Sequence, residues 1–409
     1  MRSESVLQSH IRIRTVSHFC RFSYFPGMIY TVTDETRPFD RIVKRKCGRR
    51  RARQGNRYFI MNTYLMKKAM IETAVDMGLK QMEEDPKRSV RRLTDLGKQF
   101  SNNRFQDMLF SVMQELLDNE DSAYYDMMRN LLANSDKEAL KKFGINFGYM
   151  GWTYGAAQIR EHEKESGCCI PWTMLLRYDP ARVDGQGAER FNRLIQNGQE
   201  LGIYVYFIRE AAGANDESYA LLETLERYKE CAFIWFKGNG RLTAAQIQML
   251  KLCKSTLISL PLDDPETLLT VSLLKDQKIP FSLHMEYDGD APQKAYEKGA
   301  REKLSEELLG SQTAFFFLIA KDGTPCSLRQ LAYDSRMQQK HPYVAMDYYG
   351  DTLSLSRILC EQTNLFELDS DGTILQPQTH RGELFDQDVP LLDAFAKVMP
   401  AFPPEQAQV

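Results

Sequence analysis

The stretch Cys231–Leu260, CAFIWFKGNGRLTAAQIQMLKLCKSTLISL, decides the fold. It holds two short and almost wholly apolar runs, Cys231–Phe236 and Ser255–Leu260, on either side of a segment with helical character. Thr243 and Gln246 have the spacing of a capping box at the start of that helix. An apolar run, a helix and a second apolar run predict a βαβ unit with parallel strands and a right-handed crossover.

The same unit repeats outward from this stretch in both directions. Further apolar runs predict four more strands, at Ile170–Tyr178, Ile203–Ile208, Ile279–Met285 and Thr313–Ala320, with helical segments between them. Strands this apolar are covered on both faces, as in a barrel wall. Six βα units in a row favour an α/β fold built on a partial (β/α)6 TIM-like barrel, with a doubly wound open sheet as the alternative. In either fold the carboxyl ends of the strands form the mouth of the site.

The residues in front of these units carry a helical pattern instead. Ser135 and Glu138 predict a capping box, and Gly144 predicts the end of the helix that follows. The segment Phe143–Ala157, FGINFGYMGWTYGAA, sets four glycines among aromatic residues. It predicts a close-packed connection to the barrel, with a hinge or a lid as alternatives. The many methionines of this region are expected to fill its core.

Charge divides the chain into a basic beginning and an acidic remainder. Residues 1–60 hold 14 Lys and Arg against 4 Asp and Glu, and the remainder holds 39 against 51. The basic excess peaks in Lys44–Arg53, KRKCGRRRAR, a composition able to bind nucleic acid or an anionic surface. A disordered tail or a misannotated extension is the simpler interpretation, so residues 1–60 are assigned no function.

The apolar content places the protein outside the membrane. Hydrophobic residues make up 43% of the 409-residue chain, which is enough for a sizeable core. The longest apolar run, Ala314–Ala320, is far too short to cross a bilayer. No secretory signal is recognised, so a cytoplasmic location without membrane partners is expected. We predict a basic extension at 1–60, a helical domain at 61–163, the barrel at 164–340, and an extension with a hairpin and a terminal helix at 341–409.

Eight cysteines are present, and they are expected to be reduced thiols. No CxxC or CxxxCxxC spacing occurs among them, and the adjacent pair Cys168 and Cys169 is interpreted as packing residues. The full set is Cys20, Cys47, Cys168, Cys169, Cys231, Cys253, Cys326 and Cys360.

About half of the chain, from Ile170 to about Gln378, resembles the radical S-adenosylmethionine superfamily. The order of several weak motifs carries the resemblance. They are NRLIQNGQELGIYVYFI at 192–208, the Gly238–Gly240 turn with the Leu-Thr after it, LISLPLDDPET at 257–267, PYVAMDYYGD at 342–351 and LFELDSDGTILQP at 365–377. The resemblance implies a partial barrel with an N-terminal helical domain, and an iron–sulfur cluster that cleaves S-adenosylmethionine.

The departures from the family pattern argue against that chemistry. The family's cluster loop after the first strand supplies three cysteine thiolates, but the loop that begins Arg177-Tyr178-Asp179-Pro180 contains no cysteine. Where the family has Gly-Gly-Glu after the second strand, this chain has Ile208-Arg209-Glu210, and Arg209 is expected to crowd the site. Gln376-Pro377-Gln378 stands in place of a Pro-Cys ligand, with only Cys360 nearby. An iron–sulfur cluster is therefore not expected.

Polar residues at the predicted strand ends are the remaining site candidates. His284 and Glu286 alternate along one strand and share a face, so they are candidates for acid–base chemistry or for a metal ion, with solvated strand ends as the simpler interpretation. Arg177 and Lys237 are candidates to bind an anionic ligand, or else to form salt bridges with Asp263 and Glu210. The candidate ligand-binding set is Arg177, Glu210, Lys237, Asn239 and Asp263.

Three functions stay open at this point. The first is a pseudoenzyme whose barrel is a binding or regulatory module, with residual binding of S-adenosylmethionine or of another small ligand. The second is a cluster-independent enzyme that uses the barrel mouth, and the third is an iron–sulfur protein with atypical ligands. A small-molecule ligand or a protein partner fits the first function, whereas nucleic acid is expected only for the basic N-terminal segment.

Overall fold

The apolar runs of the sequence form strands in the computed structural model, which describes residues 49–82, 84–99, 104–179, 187–211, 219–287, 306–321, 328–360, 365–370, 372–375, 382–384 and 390–399. The strands are β1 (Thr173–Tyr178), β2 (Val205–Glu210), β3 (Ala232–Phe236), β4 (Thr256–Pro261), β5 (Phe281–Tyr287), β6 (Phe315–Ala320), β7 (Val344–Asp347), β8 (Glu367–Leu368), β9 (Thr373–Leu375) and β10 (Gly382–Leu384).

These strands form one curled, mostly parallel sheet in the order β10-β9-β8-β1-β2-β3-β4-β5-β6-β7. Strands β1 to β7 follow one another in chain order and pair in parallel. Strand β8 adds in parallel to the free side of β1, β9 pairs antiparallel with β8, and β10 pairs antiparallel with β9. Parallel strands that neighbour one another in chain order are typical of a barrel wall, whereas in a doubly wound sheet the strand order reverses at a switch point. The fold is therefore an open half-barrel.

Helices precede the sheet and alternate with its strands. Their bounds are α1 (Arg49–Gln81), α2 (Pro86–Gln99), α3 (Arg104–Leu117), α4 (Tyr124–Asn134), α5 (Lys137–Ile145), a π-helix (Asn146–Gly155), α6 (Ala156–Ser166), α7 (Gly187–Leu201), α8 (Tyr219–Arg227), α9 (Ala244–Leu252), α10 (Thr267–Asp276), α11 (Leu328–Gln338), α12 (Tyr348–Cys360) and α13 (Leu391–Val398). Residues 306–311 are also helical. The rest of the helix predicted at about 291–309 lies outside the described residues.

The six predicted strands are all present in the predicted order, and the sheet extends further than the six predicted units. Strand β7 pairs with β6 and strand β8 with β1, which makes eight parallel strands in the described sheet. Both strands belong to the region 341–409 that the sequence predicts as an appended hairpin and helix. The predicted capping box of Thr243 and Gln246 is confirmed at the start of α9.

Several local expectations for the helical region are wrong. Asp136, and not Ser135, caps α5, because its Oδ1 accepts a hydrogen bond of 3.0 Å from the Ala139 amide. Gly144 does not end the helix, because α5 continues to Ile145 and is followed directly by the π-helix. Met70 and Met77 are exposed on α1, whereas Met82, Met127 and Met150 are buried, so the expected core filling by methionines holds for only part of the region.

The π-helix is packed tightly under the amino ends of the strands. The Asn146 side-chain amide donates to the backbone oxygens of Lys229 and Cys231 at 2.8 and 3.1 Å and to the Ser255 hydroxyl at 2.8 Å. This contact ties the π-helix to the residues that lead into β3 and β4. The glycine-rich segment is thus observed in the close-packed arrangement.

The end of the π-helix also lies close to the turn between α7 and β2, and a substitution tests this second contact. A Cβ added at Gly155 would lie 2.2 Å from the Gly202 carbonyl oxygen, and Gly202 itself has a φ of +97°. We expect Gly155→Ala to lower the free energy of unfolding by about 1–3 kcal/mol. The added Cβ would clash with a backbone oxygen, which cannot move aside as the end of a flexible side chain can. Urea denaturation measures the effect.

Gly144→Ala is the matched control for that substitution. A Cβ at Gly144 meets nothing within 4 Å, and alanine is a better helix former than glycine by about 0.5–1 kcal/mol. The control is expected to be neutral or stabilising. Equal losses in the two variants would contradict the backbone-contact explanation.

Candidate functional site

The sheet has two faces, and strand register assigns each candidate residue to one of them. Arg209 pairs with Phe236 in β3, and Glu367 pairs with Leu175, two residues before Arg177 in β1. Because side chains alternate along strands and partners in register share a face, these residues lie on one face, here called the inner face. Helix α12 packs there, since the Tyr348 ring contacts the ring of Phe236 at 5.1 Å between centroids. The other face, here called the outer face, meets helices such as α7, whose Ile195 carbonyl accepts from the Tyr206 hydroxyl.

The buried side chain of Glu367 lies at the centre of the inner face, near the C-terminal ends of the strands. Glu367 Oε1 accepts from Arg177 Nε at 2.8 Å, and Arg209 Nη1 lies 3.7 Å from the same oxygen. The Tyr349 hydroxyl lies 3.2 and 3.1 Å from the two Glu367 oxygens. Burial, with the nearby Glu367 charge, raises the pKa of Tyr349 to about 12, so the hydroxyl stays protonated and donates to the carboxylate. We call Arg177, Arg209, Tyr349 and Glu367 the inner-face network.

Arg209 joins this network to the edge of β5. Its Nη1 donates to the Tyr349 hydroxyl at 2.8 Å, and its Nη2 donates to Glu286 Oε1, also at 2.8 Å. The guanidinium carbon lies 5.8 Å from the centroid of the Tyr348 ring. Glu286 and Arg177 are each more than a third exposed, so the network reaches solvent at both of its ends.

His284 lies deeper on the same face and contacts mainly uncharged groups. Its Nδ1 is 3.1 Å from the Ser259 hydroxyl, and its ring meets Phe236 edge to face at 5.5 Å. Burial, aided by the positive charge of Arg209, lowers the pKa of His284 to about 3, so the ring is neutral at physiological pH. His284 and Glu286 do share a face, but their hydrogen-bond partners differ.

The buried neutral ring predicts a pH dependence of stability. The native pKa lies below the unfolded value of about 6.5, so between these values the unfolded chain binds more protons. The His284 contribution is therefore complete above about pH 6.5, and it is lost at about 1.4 kcal/mol per pH unit as the pH falls toward 3. Comparing the wild type with His284→Gln by urea denaturation at pH 7.5 and at pH 5 isolates this contribution. The wild type is expected to lose about 2 kcal/mol more than the variant. Equal losses would contradict the buried neutral imidazole.

Glu210 and Lys237 lie on the outer face, away from the inner-face network. Lys237 Nζ is 2.8 Å from Glu210 Oε1, and the Trp235 indole donates to Glu210 Oε2 at 3.0 Å. The two charged side chains are 2% and 0% exposed, respectively. The alternative of mutual pairing therefore holds for these two residues, but the pair is buried and not a surface salt bridge.

The other predicted partners lie apart from both groups. Asn239 Oδ1 accepts from the Arg241 amide at 3.1 Å within the turn after β3. Asp263 is exposed in the turn between β4 and α10, and Arg177 pairs with Glu367 instead of with Asp263. Of the seven predicted mouth residues, the inner face thus brings together Arg177, His284 and Glu286.

Sequence reasoning missed half of the inner-face network. It named Arg209 only as an obstacle, and it did not single out Tyr349 or Glu367. Arg177 and Glu367 are 190 residues apart in the sequence, and no local sequence pattern predicts a contact over that separation. The motifs at 342–351 and 365–377 did mark both segments that return to the sheet.

The described cysteines lie away from this edge of the sheet. Cys168 and Cys169 precede β1, Cys231 precedes β3 and Cys253 precedes β4, so all four are near amino ends of strands. Burial raises the pKa of the Cys231 and Cys253 thiols, the latter to about 12, which opposes the thiolate form that ligates iron. Among the described residues no group of three or more His, Cys, Asp or Glu side chains is placed to hold a metal ion. None of the described cysteines lies at the carboxyl ends of the strands on the inner face, and Cys20, Cys47, Cys326 and the Cys360 side chain lie outside the described residues.

Within the described helices, none combines the length and apolar character that a bilayer span requires.

Comparison with known proteins gives a weak structural likeness. No protein-family model matches the sequence, and no curated protein matches it. Three crystal structures of Streptococcus suis SuiB, a radical S-adenosylmethionine enzyme, resemble the fold at 10% sequence identity. The complex with S-adenosylmethionine has a TM-score of 0.44 over 58% of this chain and 67% of SuiB. The complex with the precursor peptide SuiA has 0.43 over 58% and 68%, and a third SuiB structure has 0.44 over 71% and 76%. Likeness at this level assigns this chain no activity and no ligand.

Proposed function

We propose that this protein is a non-catalytic member of the radical S-adenosylmethionine type, whose half-barrel is a binding or regulatory module. The inner-face network is the observation that carries the proposal. Where a radical enzyme needs an open cluster site, this chain has a buried carboxylate, Glu367, that lies between Arg177 and Arg209. The cysteine-free sequence after β1 supports the same proposal.

The closure of the inner face by α12 supports a binding role over catalysis. Tyr348 and Tyr349 begin α12 and are both buried against the strands. A catalytic acid or base must reach a substrate and hold a pKa near the working pH. His284 is buried and neutral, and Glu367 is held by two arginines and a tyrosine. These groups are arranged to stabilise the fold.

The solvent-facing ends of the network are where we place a ligand. Arg177 and Glu286 carry opposite charges at this rim, so together they suit a ligand with a carboxylate and an ammonium group, such as the methionine part of S-adenosylmethionine. Under this proposal the ligand binds without being cleaved. Electron transfer to its sulfonium needs a donor, and no cluster is proposed to supply one.

Iron and sulfide analysis tests the loss of catalysis. The full chain is purified anaerobically and then incubated with ferrous iron and sulfide. We expect iron far below one cluster per chain, and no difference between the wild type and a Cys231→Ser/Cys253→Ser control. A stoichiometric cluster, together with reductive cleavage of S-adenosylmethionine, would overturn the proposal.

Calorimetric titration with S-adenosylmethionine tests the proposed binding site. We expect saturable binding that weakens at least about tenfold in Arg177→Gln, because one charge-assisted hydrogen bond is worth about 1.5–3 kcal/mol. Arg129→Gln is the matched control, since Arg129 is an exposed arginine on α4 paired only with Asp126 in the described contacts. If the wild type gives no binding heat, S-adenosylmethionine is not the ligand, and the binding or regulatory role would then involve a protein partner.

A further inference from the structure

An exposed leucine patch lies on the outer layer of the half-barrel, away from the inner-face network. Helix α10 presents three leucines to solvent, and the helical residues 306–311 present one more. Their exposures are 49% for Leu268, 69% for Leu269, 41% for Leu273 and 42% for Leu309. Scattered exposed leucines are ordinary, but a cluster of them on neighbouring helices marks an interaction surface.

A groove of about 400 Å³ lies beside this patch, and Leu268 is the patch leucine that lines it. The other lining residues are Val271, Ser272 and Lys275 of α10 and, opposite them, Glu306, Glu307, Gly310 and Ser311. Lys275 in this lining and the α4 residue Asn134 both donate to the Gln312 side chain at 3.2 Å. We call this feature the leucine groove.

The rim of the leucine groove is acidic. Along α10 the exposed residues Glu266, Leu269, Leu273 and Asp276 recur at spacings of three and four, so a carboxylate stands at each end of an apolar ridge. Glu306 and Glu307 line the opposite wall. Lys275 is the cation among the groove's lining residues, and it is engaged by Gln312.

From this combination we infer that the leucine groove docks a basic amphipathic helix of a partner protein. Apolar residues at i, i+3 or i+4 and i+7 of such a helix would cover the leucines, as in known helix-in-groove recognition. Its lysines and arginines would face the carboxylates of the rim. The same charge pattern repels an acidic helix, so the rim also sets specificity.

Fluorescence anisotropy with a designed peptide tests the inference on the full chain. The probe is a labelled leucine–lysine amphipathic helix of about 18 residues, or about five turns. We expect saturable binding, weakened at least about tenfold by Leu269→Glu, since a buried leucine at an interface is worth more than about 1.4 kcal/mol. Glu306→Lys is expected to weaken binding too. Raising ionic strength from about 0.1 M to 1 M shortens the screening length from about 10 Å to 3 Å and should reduce affinity further.

Matched substitutions elsewhere keep the test specific. Leu252→Glu changes a leucine that is 59% exposed at the end of α9, and Glu200→Lys changes an exposed glutamate of α7. Both controls are expected to bind the probe like the wild type. Equal binding by all variants, or equal binding of a leucine–glutamate peptide, would overturn the inference. So would a homodimer, detected by sedimentation, that Leu269→Glu dissociates, because the groove would then be covered by a second copy.

Discussion

Glu210→Ala is expected to lower the free energy of unfolding by about 3–5 kcal/mol, because it leaves the Lys237 ammonium buried without its counter-charge. The Lys237 side chain is 2% exposed and lies 2.8 Å from the Glu210 carboxylate. Loss of Glu210 also removes the acceptor of the Trp235 indole. Urea denaturation at pH 7 measures the change.

A double substitution separates the ion pair from its packing. Glu210→Leu/Lys237→Met replaces both charges with apolar groups of similar size, and such replacements of buried pairs are often neutral or stabilising. We expect the double variant to be more stable than Glu210→Ala. Arg129→Ala, which breaks the exposed pair with Asp126, is expected to cost at most about 1 kcal/mol. A similarly small loss for Glu210→Ala would contradict the buried-charge account.

The strands show how much of the fold can be predicted from the sequence. Apolar runs separated by helical segments predict all six strands in order, because a buried parallel strand needs a continuous apolar stretch. Strand β8, of two residues, is too short to produce such a run. Strand β7 has four residues and ends in an aspartate, so it too lacks the signal. The sheet's outer strands therefore emerge only from tertiary pairing.

The face of each strand-end residue is harder to predict than the strand itself. Placing Glu210 at the mouth requires knowing which of two adjacent residues points inward, and a shift by one residue reverses the answer. In the structure Arg209 points inward and Glu210 outward. The adjacency of opposite charges in Arg209-Glu210 indicates that the strand end is polar on both faces, but not which charge belongs to which face.

Glu367→Gln is expected to lower the free energy of unfolding by about 3 kcal/mol. The substitution keeps the shape of the side chain but removes the buried negative charge that lies between Arg177 and Arg209. Arg177 loses its hydrogen-bonded carboxylate and is partly relieved by solvent, whereas the mostly buried Arg209 keeps Glu286 as a carboxylate partner at 2.8 Å. The same denaturation experiment gives the value, and Glu286→Gln is the matched control. Glu286 is 39% exposed, so its loss is expected to cost at most about 1 kcal/mol.

Sulfate distinguishes this electrostatic cost from a packing defect in the same variant. With Glu367 neutralised, two guanidinium groups near one point form a site for an oxyanion, and a ligand that binds only the native state raises its stability by RT ln(1 + [L]/Kd). At constant ionic strength, millimolar sulfate should stabilise Glu367→Gln more than it stabilises the wild type or Glu286→Gln. Equal stabilisation of all three proteins would mean that removing the Glu367 charge creates no anion site, because sulfate also stabilises folded proteins in general by its exclusion from their surface. The loss in Glu367→Gln would then be a packing defect, and the electrostatic account of the inner-face network would fail.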